Sequence, residues 1–175
     1  PRVTSLATFL EKHGINVYSP RSDMFFKREE IKQILGCMML MFPNYFKELE
    51  NKSFKYLLEE HYQYYMECAQ EAVKLIQLEE HASLKRFIRQ RGLTHLNLKG
   101  TTDYSFSGLL YQLFMFEPFK GMLDIDVGAG VVDVRPARNL ALLTQIVGKF
   151  EYLHKVDVLN AKYIDVNTEK LFNLY

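Results

Sequence analysis

The stretch Phe25–Pro43, FFKREEIKQILGCMMLMFP, decides how the rest of this chain is read. Two aromatic residues open it, five charged side chains follow within the six positions Lys27–Lys32, and an uncharged apolar run extends from Ile34 to Phe42. Ile31, Leu35, Met38 and Phe42 recur at helical spacing, so a helix is expected over about 27–42. Beyond Ile34 that helix is apolar on all sides, the pattern of an element buried among several partners. Gly36 is expected to let a neighbouring helix approach closely. Pro43 is expected to end the run, because a proline pushes the residue before it out of the α region.

Outward from this stretch the pattern stays helical. Ser53 can cap a long helix to about Leu78, with Leu57, Leu58, Tyr62, Tyr65, Ala69, Ala72, Leu75 and Ile76 on one broad face. A further helix is expected over Ala82–Gln90, stopped by Gly92. Ser105 can open an aromatic-rich helix that ends before Pro118. Leu123–Val134 reads either as a hairpin around Gly128–Gly130 or as a loop. Another helix is expected from Ala137 to about His154, with Leu140, Leu143, Ile146, Val147 and Phe150 on one side, and Asn167 is expected to cap a last one. On the N-terminal side, Val3, Leu6, Phe9 and Leu10 mark a helix stopped by Gly14, and Ile15–Ser19 alternates like a short strand. The expected fold class is therefore mainly α, with a short α/β flank at the N-terminus.

The 175 residues fit one domain, or one domain plus a fragment of another. With 48% apolar and 25% charged residues, the composition is that of a globular chain, and a net charge of +1 gives no global field for a polyanion. Cys37 and Cys68 have no metal or redox spacing and read as reduced thiols, which with the lack of a signal-like segment implies a cytoplasmic protein. The apolar run is about half of what a membrane span needs. The start at Pro1 and the end at Tyr175 suggest a piece of a longer protein.

Several chemistries lack their residues. There is no phosphate-binding G-x-x-x-x-G-K-[ST] loop, and Gly128–Gly130 lacks the third glycine of a dinucleotide fingerprint. His13, His61, His81, His95 and His154 are scattered without ligand spacing, and neither cysteine nor any serine sits in a nucleophile motif. No catalytic residue and no metal ligand is assigned.

Charge placement is more informative. From His81 to Thr102 there is no Asp or Glu, while Lys85, Arg86, Arg89, Arg91 and Lys99 all fall in that window. Arg86 and Arg89 share a helix face, and a cationic helix end running into a glycine turn suits a nucleic-acid backbone. The same residues also suit a solvated basic face answering Glu59, Glu60, Glu67, Glu71, Glu79 and Glu80. The tyrosines at 56, 62, 64 and 65 could stack on bases; at helical spacing Tyr62 and Tyr65 read more simply as core residues.

The order of a first helix, HGINVYSPRS and then MFFKREEIKQILGCMMLMFP resembles superfamily 1 DNA helicases of the UvrD/Rep type. The residues that carry the resemblance are Leu10, Glu11, Gly14, Ile15, Phe25, Phe26, Arg28, Glu30, Ile31 and Lys32, with Val17 and Tyr18 close to the family's aromatic strand position. The stretches FSGLLYQLFMFEPF, RPARNLALLTQIVGKFEYLH and LFNLY are similar to the inserted domain of one subgroup. The resemblance implies that residues 1–32 are the flank of a second RecA-like motor domain, with Phe26, Arg28, Glu30 and Lys32 at the junction. Residues 33–175 would be the inserted helical domain. It further implies a parent that hydrolyses ATP with Mg²⁺ and steps along DNA, while this piece carries no ATPase motif. Its partners would be DNA, through sequence-independent backbone contacts, and the remaining motor domains, with no membrane. A Thr-x-His-x-x-Lys-Gly segment would follow beyond Tyr175. The family's duplex-touching Thr-Arg-Gly-Ile-Gly turn has its nearest match at Arg91–Gly92–Leu93, without the second glycine. The other reading is a helical protein-interaction module with no nucleic-acid role, which the aromatic surplus and near-zero charge suit.

Overall fold

In a computed structural model of the chain, residues 25–54, 57–124 and 133–173 are described. The expected helix over 3–10, the strand Ile15–Ser19 and the Gly128–Gly130 segment lie outside them. Among the described residues the fold is mainly α. In chain order the helices are α1 (Glu29–Leu40), α2 (Pro43–Glu50), α3 (Glu59–Gln77), α4 (Ala82–Leu96), α5 (Phe106–Leu113), α6 (Phe119–Leu123), α7 (Arg135–His154) and α8 (Ile164–Leu171), and a 3₁₀ turn (Glu79–His81) joins α3 to α4. No strand occurs among the described residues, where pairing of that kind is limited to the isolated bridge Thr101–Asn160.

α1 is the central element, as its all-round apolar pattern requires. Every residue from Gln33 to Met39 is buried, and α2, α3, α4, α5 and α7 pack around it. The closest approach is with α3. A Cβ built on Gly36 would lie 2.0 Å from the Cys68 carbonyl oxygen and 2.7 Å from the Ala72 Cβ, so only glycine lets the two backbones meet here. Pro43 ends α1 as expected, and it also takes the first position of α2, where its missing N–H costs nothing. Sequence reading did not foresee α2. Its Tyr45 stacks on Phe54 at 4.9 Å and packs against Phe172, tying α2 to the α8 end of the chain.

Four expected boundaries move, each for a local reason. Ser53 does not cap α3, which starts at Glu59. Ser53 instead closes the C-terminus of α2: Lys52 adopts the left-handed conformation, and the Ser53 N–H reaches back to the Glu48 carbonyl at 3.0 Å. The Tyr62 hydroxyl then accepts from the Phe54 N–H at 2.9 Å and donates to the Phe54 carbonyl, holding that residue out of the helix. Gly92 does not stop α4; it is buried in mid-helix, where an added Cβ would sit 3.3 Å from the Pro43 ring. α7 starts two residues before Ala137, with Asp133 accepting from the Arg135 N–H at 3.0 Å. Asn167 lies inside α8, whose approach is set by Asn160, the side chain of which accepts from the Lys162 N–H at 2.8 Å.

α5 begins where expected, with the Ser105 hydroxyl accepting from the Gly108 N–H at 3.3 Å. A second cap comes from far along the chain: the Glu151 carboxylate of α7 accepts from the Ser107 N–H at 2.8 Å and from the Ser107 hydroxyl at 2.7 Å.

Candidate nucleic-acid interface

The geometry of α4 sorts the expected cations into two groups. Leu84, Ile88, Gly92 and His95 are its buried face. Lys85, Arg86 and Arg89 are exposed on the opposite side, and Lys99 is exposed just past the helix. Among the described residues none of these four makes an ion pair. Four of the glutamates that could have answered them are engaged elsewhere: Glu67 with Lys32 at 2.6 Å, Glu59 with Lys52 at 2.6 Å, Glu71 with Lys74 at 2.7 Å and Glu80 against His81 at 3.5 Å.

Arg91 belongs to the second group. It is half-buried, and its Nη2 donates to the Gln112 Oε1 of α5 at 2.8 Å. Its guanidinium lies over the Tyr104 ring at 4.5 Å and the Phe87 ring at 5.3 Å, and Phe87 in turn packs on Phe116 at 4.9 Å. A planar, weakly hydrated cation between two aromatic faces suits arginine rather than lysine. The expected cationic helix end at a glycine turn therefore does not form. The helix continues through Arg91 and Gly92, and Arg91 joins α4 to α5.

One turn further, His95 is 7% exposed and stacks flat on Phe42, with ring centres 4.4 Å apart. Its Nδ1 is 2.6 Å from the Met41 carbonyl, which can only accept, so Nδ1 carries the proton. Its Nε2 then accepts from the Tyr104 hydroxyl at 3.0 Å. Burial, reinforced by the Arg91 charge, holds His95 below the ordinary histidine range despite the Met41 contact. Burial raises the Tyr104 pKa, partly offset by Arg91, so its hydroxyl stays a donor at neutral pH. Sequence reading missed His95, Tyr104 and Gln112 as partners. The available signal was that Arg91 and His95 are four apart, which matters only once Gly92 is read as helical.

The residues expected at a motor junction are engaged within the helical body. α1 runs without a break across positions 32 and 33, where a domain boundary was expected. Phe26 meets Phe25 and Tyr64 edge-on, and the Tyr64 hydroxyl donates to the Phe26 carbonyl at 3.0 Å. Arg28 occupies the N-cap position of α1. Glu30 is buried and accepts from the Asn139 Nδ2 of α7 at 2.6 Å. Lys32 pairs with Glu67 of α3.

Tyr62, Tyr64 and Tyr65 are buried in α3, so none of the three presents a face to a base. Tyr56 lies outside the described residues. Cys37 and Cys68 are free and buried, and burial raises both thiols, Cys68 to about 12. Among the described residues no group of three His, Cys, Asp or Glu could hold a metal ion, and no helix is long and apolar enough to cross a membrane. No family model, no curated protein and no solved structure matches the chain.

Proposed function

We propose that this chain is the accessory helical domain of a superfamily 1, UvrD-like ATP-dependent DNA helicase, touching the nucleic-acid backbone through the outer face of α4. One observation carries the DNA contact: Lys85, Arg86 and Arg89 stand on the exposed side of a helix without an acidic residue, unpaired among the described residues. Side chains of that kind replace condensed counterions on a polyanion without first breaking ion pairs of their own. The helicase parentage rests on the residues Leu10–Lys32 that resemble the family. ATP and Mg²⁺ belong to the motor of the parent, and this domain orients DNA or regulates unwinding without catalysis of its own.

The test is a salt series of DNA binding by the chain and by the Lys85→Ala/Arg86→Ala/Arg89→Ala variant. Three lost phosphate contacts lower the slope of log affinity against log salt by about 2.7 on duplex DNA, with no dependence on sequence. No binding by the parent chain, or an unchanged slope in the triple variant, overturns the DNA reading. It would favour the rival, a protein-interaction module. The adjacent Tyr152 and Leu153 at the end of α7, exposed by 84% and 65%, are the apolar side chains such a module would offer.

A further inference from the structure

The loop between α4 and α5 and the loop between α7 and α8 are clasped together. The Thr102 N–H donates to the Leu159 carbonyl at 2.8 Å, the Leu159 N–H to the Tyr104 carbonyl at 3.0 Å and the Ala161 N–H to the Gly100 carbonyl at 2.8 Å. The Thr102 hydroxyl also donates to the Tyr104 carbonyl at 2.7 Å. Tyr104 is thus the hub of the clasp, and its side chain points to His95. The histidine, stacked on Phe42 and bonded to Met41, fixes that hub to the end of α1.

We propose that this arrangement is a proton-operated latch: neutral His95 holds the two-loop clasp against the end of α1, and its protonation releases the clasp while the α1–α3 core stays folded. The geometry dictates the sign. In the neutral ring Nδ1–H donates to Met41 and Nε2 accepts from Tyr104, so both nitrogens are satisfied. A protonated ring has no acceptor left. Nε2–H must then donate to the Tyr104 oxygen, and the phenolic proton has to find another acceptor.

Both ring nitrogens of His95 are taken up by Met41 and Tyr104, and no charged neighbour among the described residues bonds to the ring. On the same helix, Arg91 lies against Tyr104 as a second cation. On the α4–α5 loop stand Tyr104 itself and the exposed Asp103. The end of α1 offers Met41 and Phe42, and the start of α2 offers Asn44, none of them ionisable. From α8, Asp165 shares a small cavity with His95, whose two ring nitrogens bond to Met41 and Tyr104 instead. Protonation therefore sets a second cation beside Arg91 on one phenol, with the exposed Asp165 carboxylate across the cavity and not bonded to the ring.

The experiment is amide hydrogen exchange on the 175-residue chain between pH 7.5 and 5, corrected for intrinsic exchange, together with an NMR titration of the His95 ring. The expected ring state at neutral pH is the Nδ1–H tautomer. As the ring protonates, protection at Thr102, Leu159 and Ala161 falls by up to about tenfold per pH unit. Protection at Ile34, Cys68 and Ala72 does not follow. His95→Gln can donate to Met41 and accept from Tyr104 without titrating, so its clasp protection becomes independent of pH. The latch is overturned if the His95 ring titrates with no change at the clasp, if the core amides lose protection in parallel, or if His95→Gln keeps the pH dependence. Should that variant not fold, the ring titration and the exchange of the unaltered chain decide alone.

Discussion

α1 meets α3 and α4 in two different ways. Against α3 the joint is steric: Gly36 sits under the backbone of Cys68, with Ala72 beside it. Around α4 the joint is polar and aromatic: His95 bridges Met41 and Tyr104, and Arg91 carries the contact on to Gln112 and α5. At its centre the first depends on shape and is indifferent to protons, with the Lys32–Glu67 pair at its exposed rim. The second depends on protonation state and on each partner being present, because every buried donor or acceptor left alone has a desolvation cost. One central helix thus holds a permanent contact on one side and a conditional one on the other.

Overfilling the steric joint is expected to have the largest effect. Gly36→Val forces α1 and α3 apart against backbone, which does not yield as a side-chain end does. A loss of about 3 kcal/mol or more is expected by denaturant titration. If the variant stays within about 1 kcal/mol of the parent, the joint is softer than its geometry indicates. The thiols report on the same joint. Cys68, raised to about 12 by burial, should react with thiol reagents only when the helices part, so Gly36→Val should speed its labelling.

The buried polar tie between α1 and α7 comes next. Glu30→Ala strands the Asn139 amide in the core and is expected to cost about 2 kcal/mol. Glu30→Gln keeps an acceptor and should recover most of that in thermal unfolding. Equal losses in the two variants would mean that charge, not acceptance, matters there.

On the polar side, Arg91→Ala removes the Gln112 bond and two aromatic contacts, with an expected loss of about 1–2 kcal/mol. Arg91→Lys should not rescue it, since an ammonium cannot reproduce the planar stack. The DNA salt slope should stay as in the parent, which separates Arg91 from Lys85, Arg86 and Arg89.

The smallest effect is expected at the surface. Glu67→Gln breaks the Lys32 pair, whose acidic partner is 57% exposed, and should shift stability by no more than about 0.5 kcal/mol. A larger loss would give the α1–α3 joint an electrostatic component that its interior does not have.

Much of this contrast was legible in the chain itself. The apolar run Ile34–Phe42 placed α1 at the centre, and Gly36 was readable as a close-approach site because helical spacing and burial both pointed there. Ser105 was readable as a cap because a serine before an apolar run has few other uses. Other signals were ambiguous by nature. Ser53 fits the start of one helix or the end of another, and only the left-handed Lys52 decides between them. Gly92 resembles a stop, yet it lies inside a helix, where an added Cβ would crowd the Pro43 ring at 3.3 Å. Of the candidate interface, the cation cluster was visible. The diversion of Arg91 was not, because Tyr104 and Gln112 lie 13 and 21 positions away and reach it only through tertiary packing.

The carboxylate that finishes the start of α5 comes from Glu151, 44 positions downstream of Ser107. A nascent chain therefore makes α5 well before it makes the group that closes its first turn. Until α7 is complete, that turn must rely on water and on Ser105 alone. Any truncation before position 151 leaves the opening turn of α5 without the partner that locks it.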